Sequence, residues 1–216
     1  MIGLATCNFF APSPTIWLWV VVFGIIAAVL TVLMARLLRF PFLAAPFILT
    51  FWAVWPLAGT IGLKRIEFAP FDHVPVMWGT ATISALASAL FCTGVTTGVL
   101  FFVGVAISNW RHALVALLGG FIAVALAEHV GRAGGAINSG FVGFNAVLAA
   151  LAAYSIVAED LRLVVLAALL SSWLASYVYL GVPLPVLASG FVLSIWLILL
   201  LGQLNPWFCG ARARRS

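Results

Sequence analysis

FPFLAAPFILTFW, residues 40–52, returns with its spacing intact as LPVLASGFVLSIW, residues 184–196. Aligned without gaps, Pro41/Pro185, Leu43/Leu187, Ala44/Ala188, Phe47/Phe191, Leu49/Leu193 and Trp52/Trp196 are identical, and most other pairs exchange one apolar or small residue for another. Two apolar runs can match in composition by chance, but a proline, a phenylalanine and a tryptophan held in one register are harder to obtain that way. The pairing predicts an internal duplication.

What surrounds the two copies sets their solvent. Of 216 residues, 65% are hydrophobic and 7% charged, and the mean hydropathy is +1.25. Such a chain would expose too much apolar surface as a soluble domain, so a lipid bilayer is its expected partner. The charges agree by position. Arg36 and Arg39, Lys64 to Asp72, Arg111, Glu128 with Arg132, Glu159 to Arg162, and Arg212 to Arg215 all fall at joints between apolar runs, away from mid-span, where a charge costs several kcal/mol. A net charge of +5 scattered over joints does not mass a basic face for nucleic acid, and none is expected as a partner. Cys7, Cys92 and Cys209 have no metal-ligand spacing and are expected as buried or free thiols. Leu-Ala-Thr-Cys at the start lacks the basic and apolar stretches of a lipoprotein signal.

Apolar segments at about 15–38, 41–61, 78–108, 112–129, 140–157, 162–181 and 183–204 are long enough to cross a bilayer or to enter and return. The third is too long for one straight crossing, and Thr93-Gly94 with Thr96-Thr97-Gly98 breaks it near the middle. A short re-entrant half-helix followed by a true span is predicted, a form tolerated where the half-helix packs inside protein. With the Arg-rich tail at 206–216 in the cytoplasm, Arg36, Arg39, Arg111 and Arg162 also fall inside, which satisfies the positive-inside rule. Segments 41–61 and 183–204 then run in opposite directions, and the repeat is inverted. Each proline by itself suits a helix start. As an inverted pair, Pro41 and Pro185 suit discontinuous helices that line a path near the midplane.

FPFLAAPF and LPVLASGF resemble the signature of the urea transporter family, Leu-Pro-x-x-Thr-x-Pro-Phe, written once in each inverted half. GFVGFNAVLAAL, residues 140–151, is similar to that family's Gly-Phe-Asn-Gly-x-Leu-x-Gly segment, and TGVLFFVGVAISNWRHALVALLGG, residues 97–120, has the shape of the span and loop before it. The likeness runs in order through nearly the whole chain. It implies an all-α integral membrane protein of inverted-repeat channel fold with re-entrant or half-spanning helices, assembled as a homotrimer in a bacterial inner membrane. Urea would pass by facilitated diffusion, without cofactor or metal. By the resemblance, Phe144 and Leu148 stand where an apolar slot admits flat urea, with Phe141, Phe91 and Ser88 beside them. Pro41, Ala44 and Phe47 of one copy and Pro185, Ala188 and Phe191 of the other stand at the pore centre. Aromatic walls suit a planar neutral molecule, and a dry constriction excludes hydrated ions.

This chain departs from the pattern. The signature threonine is Ala44 in one copy and Ala188 in the other, the second-copy proline is Gly190, and Ser88 stands for a glutamine or glutamate. A hydrogen bond left unreplaced on a desolvated amide costs about 1–3 kcal/mol, which brings in ammonia, water or a short amide as alternative solutes. The opening MIGLATCNFFAPSP pairs with LAALAAYS, residues 148–155, so the first repeat is expected to be incomplete, either an internal start in a longer frame or a truncated, non-conducting relic. The expected layout is a single membrane domain: a first-repeat remnant at 1–61, a linker at 62–77, a second repeat at 78–205 and the tail.

Other classes fit less well. No span carries a carboxylate pair, a Ser/His or Ser/Lys constellation or a metal-ligand cluster, so an intramembrane enzyme is disfavoured. Glu128 and His129 are adjacent and point to different sides of a helix. A charge-selective channel or a proton relay needs charge at depth, which the spans lack.

Overall fold

The computed structural model describes residues 2–38, 41–66, 70–157, 159–181 and 184–204. Arg39, Glu67, Trp207, Cys209 and the basic tail at 206–216 lie outside the described residues. Those described form helices and turns, with one isolated antiparallel bridge between Phe10 and Arg65. The all-α expectation holds. Two compact units are formed, Met1–Pro70 with Pro183–Pro185, and Phe71–Val182 with Val186–Ser216.

The first unit contains α1 (Ile2–Phe9), α2 (Ile16–Leu37) and α3 (Ala45–Val54), closed by a 3-10 turn at Trp55–Leu57. Its core is aromatic. Phe51 packs against Phe9 at 5.5 Å, Phe10 at 5.8 Å and Trp55 at 6.0 Å between ring centroids. The Arg65 guanidinium lies 4.5 Å from the Trp55 ring centre and donates to the Trp55 carbonyl. Of the two forms open to segment 41–61, crossing the bilayer or entering and returning, its α-helix of 10 residues is too short for a full crossing by itself. Pro56 has no N–H to continue the ladder, and the 3-10 turn takes over there.

Helix α2 is different in kind. It has 22 residues and a mean hydropathy of 2.8, and Trp17, Leu18, Val21, Ile25, Val29 and Val32 are all more than half exposed. A helix apolar on nearly every side and largely uncovered by protein is stable in hydrocarbon, not in water.

The second unit holds α4 (Trp78–Ser88), α5 (Val95–Ser108), α6 (Trp110–His129), α7 (Gly134–Asn138), α8 (Phe144–Ala152) continued as a π turn at Ala153–Val157, α9 (Leu161–Gly181) and α10 (Ser189–Leu204). Helix α6, of 20 residues, is long and apolar enough to cross a membrane and sits at the centre, packed on α4, α5, α8 and α9. Its start is capped by Asn109, whose side chain accepts from the Arg111 N–H at 3.0 Å. Segment 78–108 is broken as expected, although the break begins before Thr93-Gly94. Helix α4 ends at Ser88, Phe91 takes a left-handed φ of 56°, and α5 starts at Val95. Helix α4 then has 11 residues, about 16 Å, roughly half of a hydrocarbon core. The two helices pack together.

The second unit is held at close range by small residues. Gly140 has a φ of +86°, and a Cβ there would lie 2.3 Å from the Ser84 carbonyl oxygen. Asn138 ties the chain ahead of α4 in place, donating to the Pro75 carbonyl at 2.9 Å and accepting from the Met77 N–H at 2.8 Å.

Gly140→Ala is expected to lower the thermal stability of the detergent-solubilised protein by about 2 kcal/mol or more, since both conformation and space are violated. Gly104→Ala, on α5 with nothing within 4 Å of the added Cβ, is expected to leave the melting temperature unchanged or raise it, the gain being at most about 1 kcal/mol. Parallel unfolding scans of the two variants check the contrast.

Candidate functional site

The two copies of the opening motif adopt one local structure. Leu43 and Leu187 have left-handed φ values of 52° and 44°, a conformation that costs a leucine about 1–2 kcal/mol. After each, a helix starts in the same register. Ala45 N–H donates to the Phe42 carbonyl at 3.0 Å and Ile48 N–H to the Ala44 carbonyl at 3.1 Å, and in the second copy Ser189 donates to Val186 and Val192 to Ala188, both at 3.1 Å. Leu-Ala followed by a small residue thus encodes a sharp entry into a helix, used twice.

In the first copy Ala44 is half-buried, Phe47 is 6% exposed, and Pro41 lies just ahead of the left-handed Leu43. Phe47 packs on Phe51 at 6.2 Å. Trp52, shared by the two copies of the motif, donates its indole N–H to the Pro185 carbonyl at 2.8 Å. In the second copy Ala188 is fully buried and Phe191 nearly so. Gly190, which replaces Pro46 of the first copy, has a physical reason: a Cβ there would lie 2.5 Å from the Ser171 carbonyl oxygen on α9.

Within the second unit, three helix breaks meet at the dipeptide Phe144-Asn145. The first is the α4–α5 turn, where Phe91 brings its ring to 5.8 Å from Phe144 at an interplanar angle of 47°. The rings are tilted rather than stacked as parallel walls. The second is the turn before α8, where the Ser88 hydroxyl lies 3.0 Å from the Gly140 carbonyl oxygen and 2.7 Å from that of Ala85, within donating distance of both. The third is the entry to α10. The Asn145 side chain, 3% exposed, donates through Nδ2 to the Leu187 carbonyl at 2.8 Å and accepts through Oδ1 from the Phe191 N–H at 3.0 Å.

Each expected slot residue has a definite place. Phe144 and Ser88 are buried, Phe91 and Leu148 are half-buried, and Phe141 is 45% exposed. Phe141 lies in the turn ahead of α8, so it does not continue the helical spacing of Phe144 and Leu148. Two residues were missed. Asn145 could have been found as an amide in an apolar run, where an unpaired polar group would be costly. Ser189 supplies a hydroxyl one residue after Ala188, and that hydroxyl donates to the Val186 carbonyl. Glu128 and His129 are exposed at the end of α6. Among the described residues no group of three or more His, Cys, Asp or Glu is placed to hold a metal ion.

Short apolar helices that start or stop at left-handed residues, in a chain that also carries a long, largely exposed apolar helix, are features of a membrane-embedded protein. The sequence model of the family described as Urea transporter matches residues 1–203. The chain belongs to the urea transporter family, a family of membrane-embedded transporters rather than enzymes. No curated protein matches the chain.

Gly190→Ala is expected to destabilise the protein by about 1–3 kcal/mol through overpacking against α9. Gly190→Pro, which would copy the proline of the first motif, is expected to be at least as damaging in a detergent unfolding assay. An unchanged melting temperature would remove the packing explanation for the glycine.

Proposed function

We propose that this chain conducts urea across a membrane by facilitated, channel-like diffusion. The observation that carries the reading is the convergence of three helix breaks on Phe144-Asn145 in a member of the urea transporter family. Breaks of this kind present backbone groups that a regular helix would use up internally, and they are tolerated at membrane depth only where protein or a water-filled path covers them. Phe144, Leu148 and Phe91 offer apolar walls to a planar neutral solute, with Ser88 and Phe141 nearby. The matching backbone of the two Leu-Ala motifs supports an inverted repeat, with α4 as a re-entrant half-helix. A homotrimer in a bacterial inner membrane, with the C-terminus in the cytoplasm, completes the proposal.

A second reading has its own observation. Ala44 and Ala188 carry no hydroxyl, and the carbonyls of Pro185, Val186, Leu187 and Ala188 each already accept from Trp52, Ser189, Asn145 and Val192. The Val186 carbonyl also accepts from the Ser189 hydroxyl, while a carbonyl with one donor retains a second lone pair for a solute N–H. The carbonyl of urea itself finds no hydroxyl donor at the two alanines. Ammonia, which makes no such demand, is the solute favoured if urea flux is weak.

Stopped-flow light scattering on proteoliposomes containing this chain tests both readings, with urea, ammonia and water fluxes compared against protein-free vesicles. Selective urea flux is expected, falling about tenfold or more when Phe144 or Leu148 is replaced by tryptophan. Ammonia flux without urea flux would select the second reading. Folded protein with no flux above background would overturn conduction by this chain.

A further inference from the structure

From the geometry at the start of α10 we infer that Asn145 is a positioning residue for conduction, a helix cap supplied from a distance that holds the Leu187 break in its working shape. The inference rests on the channel reading for its functional consequence, although the cap itself is a matter of backbone chemistry.

The first N–H groups of any helix have no intrahelical acceptor. In α10 the Ser189 N–H is met by the Val186 carbonyl, and the first regular helical bond is made by Val192 to Ala188. Phe191 lies between them, and its N–H is accepted by Asn145 Oδ1. On the other side of the break, the left-handed Leu187 turns its carbonyl out of any helical ladder, and Asn145 Nδ2 donates to it. One amide therefore satisfies one orphan donor and one orphan acceptor across a left-handed leucine. A cap is normally the residue at the helix start, but that position is Ala188, which has no side-chain acceptor.

The amide carries a donor and an acceptor on one planar head whatever the pH. Leucine matches its shape and offers neither. An ionised aspartate matches its shape and offers only acceptors, so the Leu187 carbonyl would face negative charge. A protonated aspartate restores the pattern, its C=O accepting from Phe191 and its O–H donating to Leu187. Asn145→Asp should therefore convert a pH-insensitive path into one that opens as the carboxyl takes up a proton.

The role is not general packing. Ser88 and Asn138 also bridge backbone segments, but neither spans a left-handed residue with both a donor and an acceptor. Loss of the Asn145 bonds frees Leu187 to relax to a normal φ, which moves the carbonyls beside it and alters which solutes pass as well as how fast.

The experiment uses the full chain in proteoliposomes, with wild type, Asn145→Asp and Asn145→Leu measured at about pH 8 and about pH 5 on the same vesicles. Wild-type flux is expected to be equal at the two values. For Asn145→Asp, urea flux is expected to fall about tenfold or more at the higher pH, to return at the lower, and to do so reversibly. The ratio of urea to water flux should shift with it, which general loosening of the fold would not reverse. Asn145→Leu should be impaired at both values. Wild-type-like flux and selectivity in Asn145→Leu, or pH-independent flux in Asn145→Asp, would overturn the inference.

Native-state hydrogen exchange on the wild-type chain covers the case in which the variants do not fold. A protected Phe191 amide is expected, and free exchange there would overturn the cap whatever the flux. If wild type itself conducts nothing while Phe191 is protected, the channel reading fails and the cap stands.

Discussion

A broken helix in an apolar medium must find partners for every backbone group that the break releases, because no water is there to serve. This constraint organises the second unit around Asn145. Its amide closes the accounts of Leu187 and Phe191, while the neighbouring Phe144 ring contacts the Phe91 turn. Two adjacent residues thus tie the end of α4 and the start of α10 to the start of α8. At the start of α10 the cap comes from another part of the chain rather than from the helix's own first residue.

The same constraint explains the small residues. Ser88 can reach the Gly140 carbonyl only because the chain at Gly140 passes against the backbone of Ser84. At the start of α10, Gly190 admits the Ser171 carbonyl of α9. Close approach of this kind suits helices in lipid, where apolar side chains gain little by leaving hydrocarbon and contact between backbones counts for more. Helix α2 follows the opposite rule. It presents large apolar side chains outward along its length, as a helix does when lipid is its neighbour.

Much of this was legible in the residues. The gapless match between residues 40–52 and 184–196 anticipated a shared local structure, and the left-handed leucines and the hydrogen bonds that follow them occupy equivalent positions. The break in segment 78–108 was also legible, from its threonines and glycines, but the left-handed residue inside it is Phe91, which no propensity argument selects. The resemblance at Phe144-Asn145 directs attention to the aromatic half of that dipeptide. The polar half was passed over because the partners of a buried amide lie far away in sequence, at Leu187 and Phe191, and backbone groups leave no trace in a side-chain pattern.

Composition and period by themselves determined that the chain is helical, lives in a bilayer, keeps its charges at the joints and uses one motif twice. These follow from local cost: every charge at depth and every unpaired N–H is penalised wherever it occurs, so the pattern is written along the chain. Tertiary structure decided where the helices stop, that Gly190 must lack a side chain, and that Asn145 caps a helix to which it does not belong. Those depend on which backbone groups meet across folded space, and that meeting exists only once the chain has closed on itself.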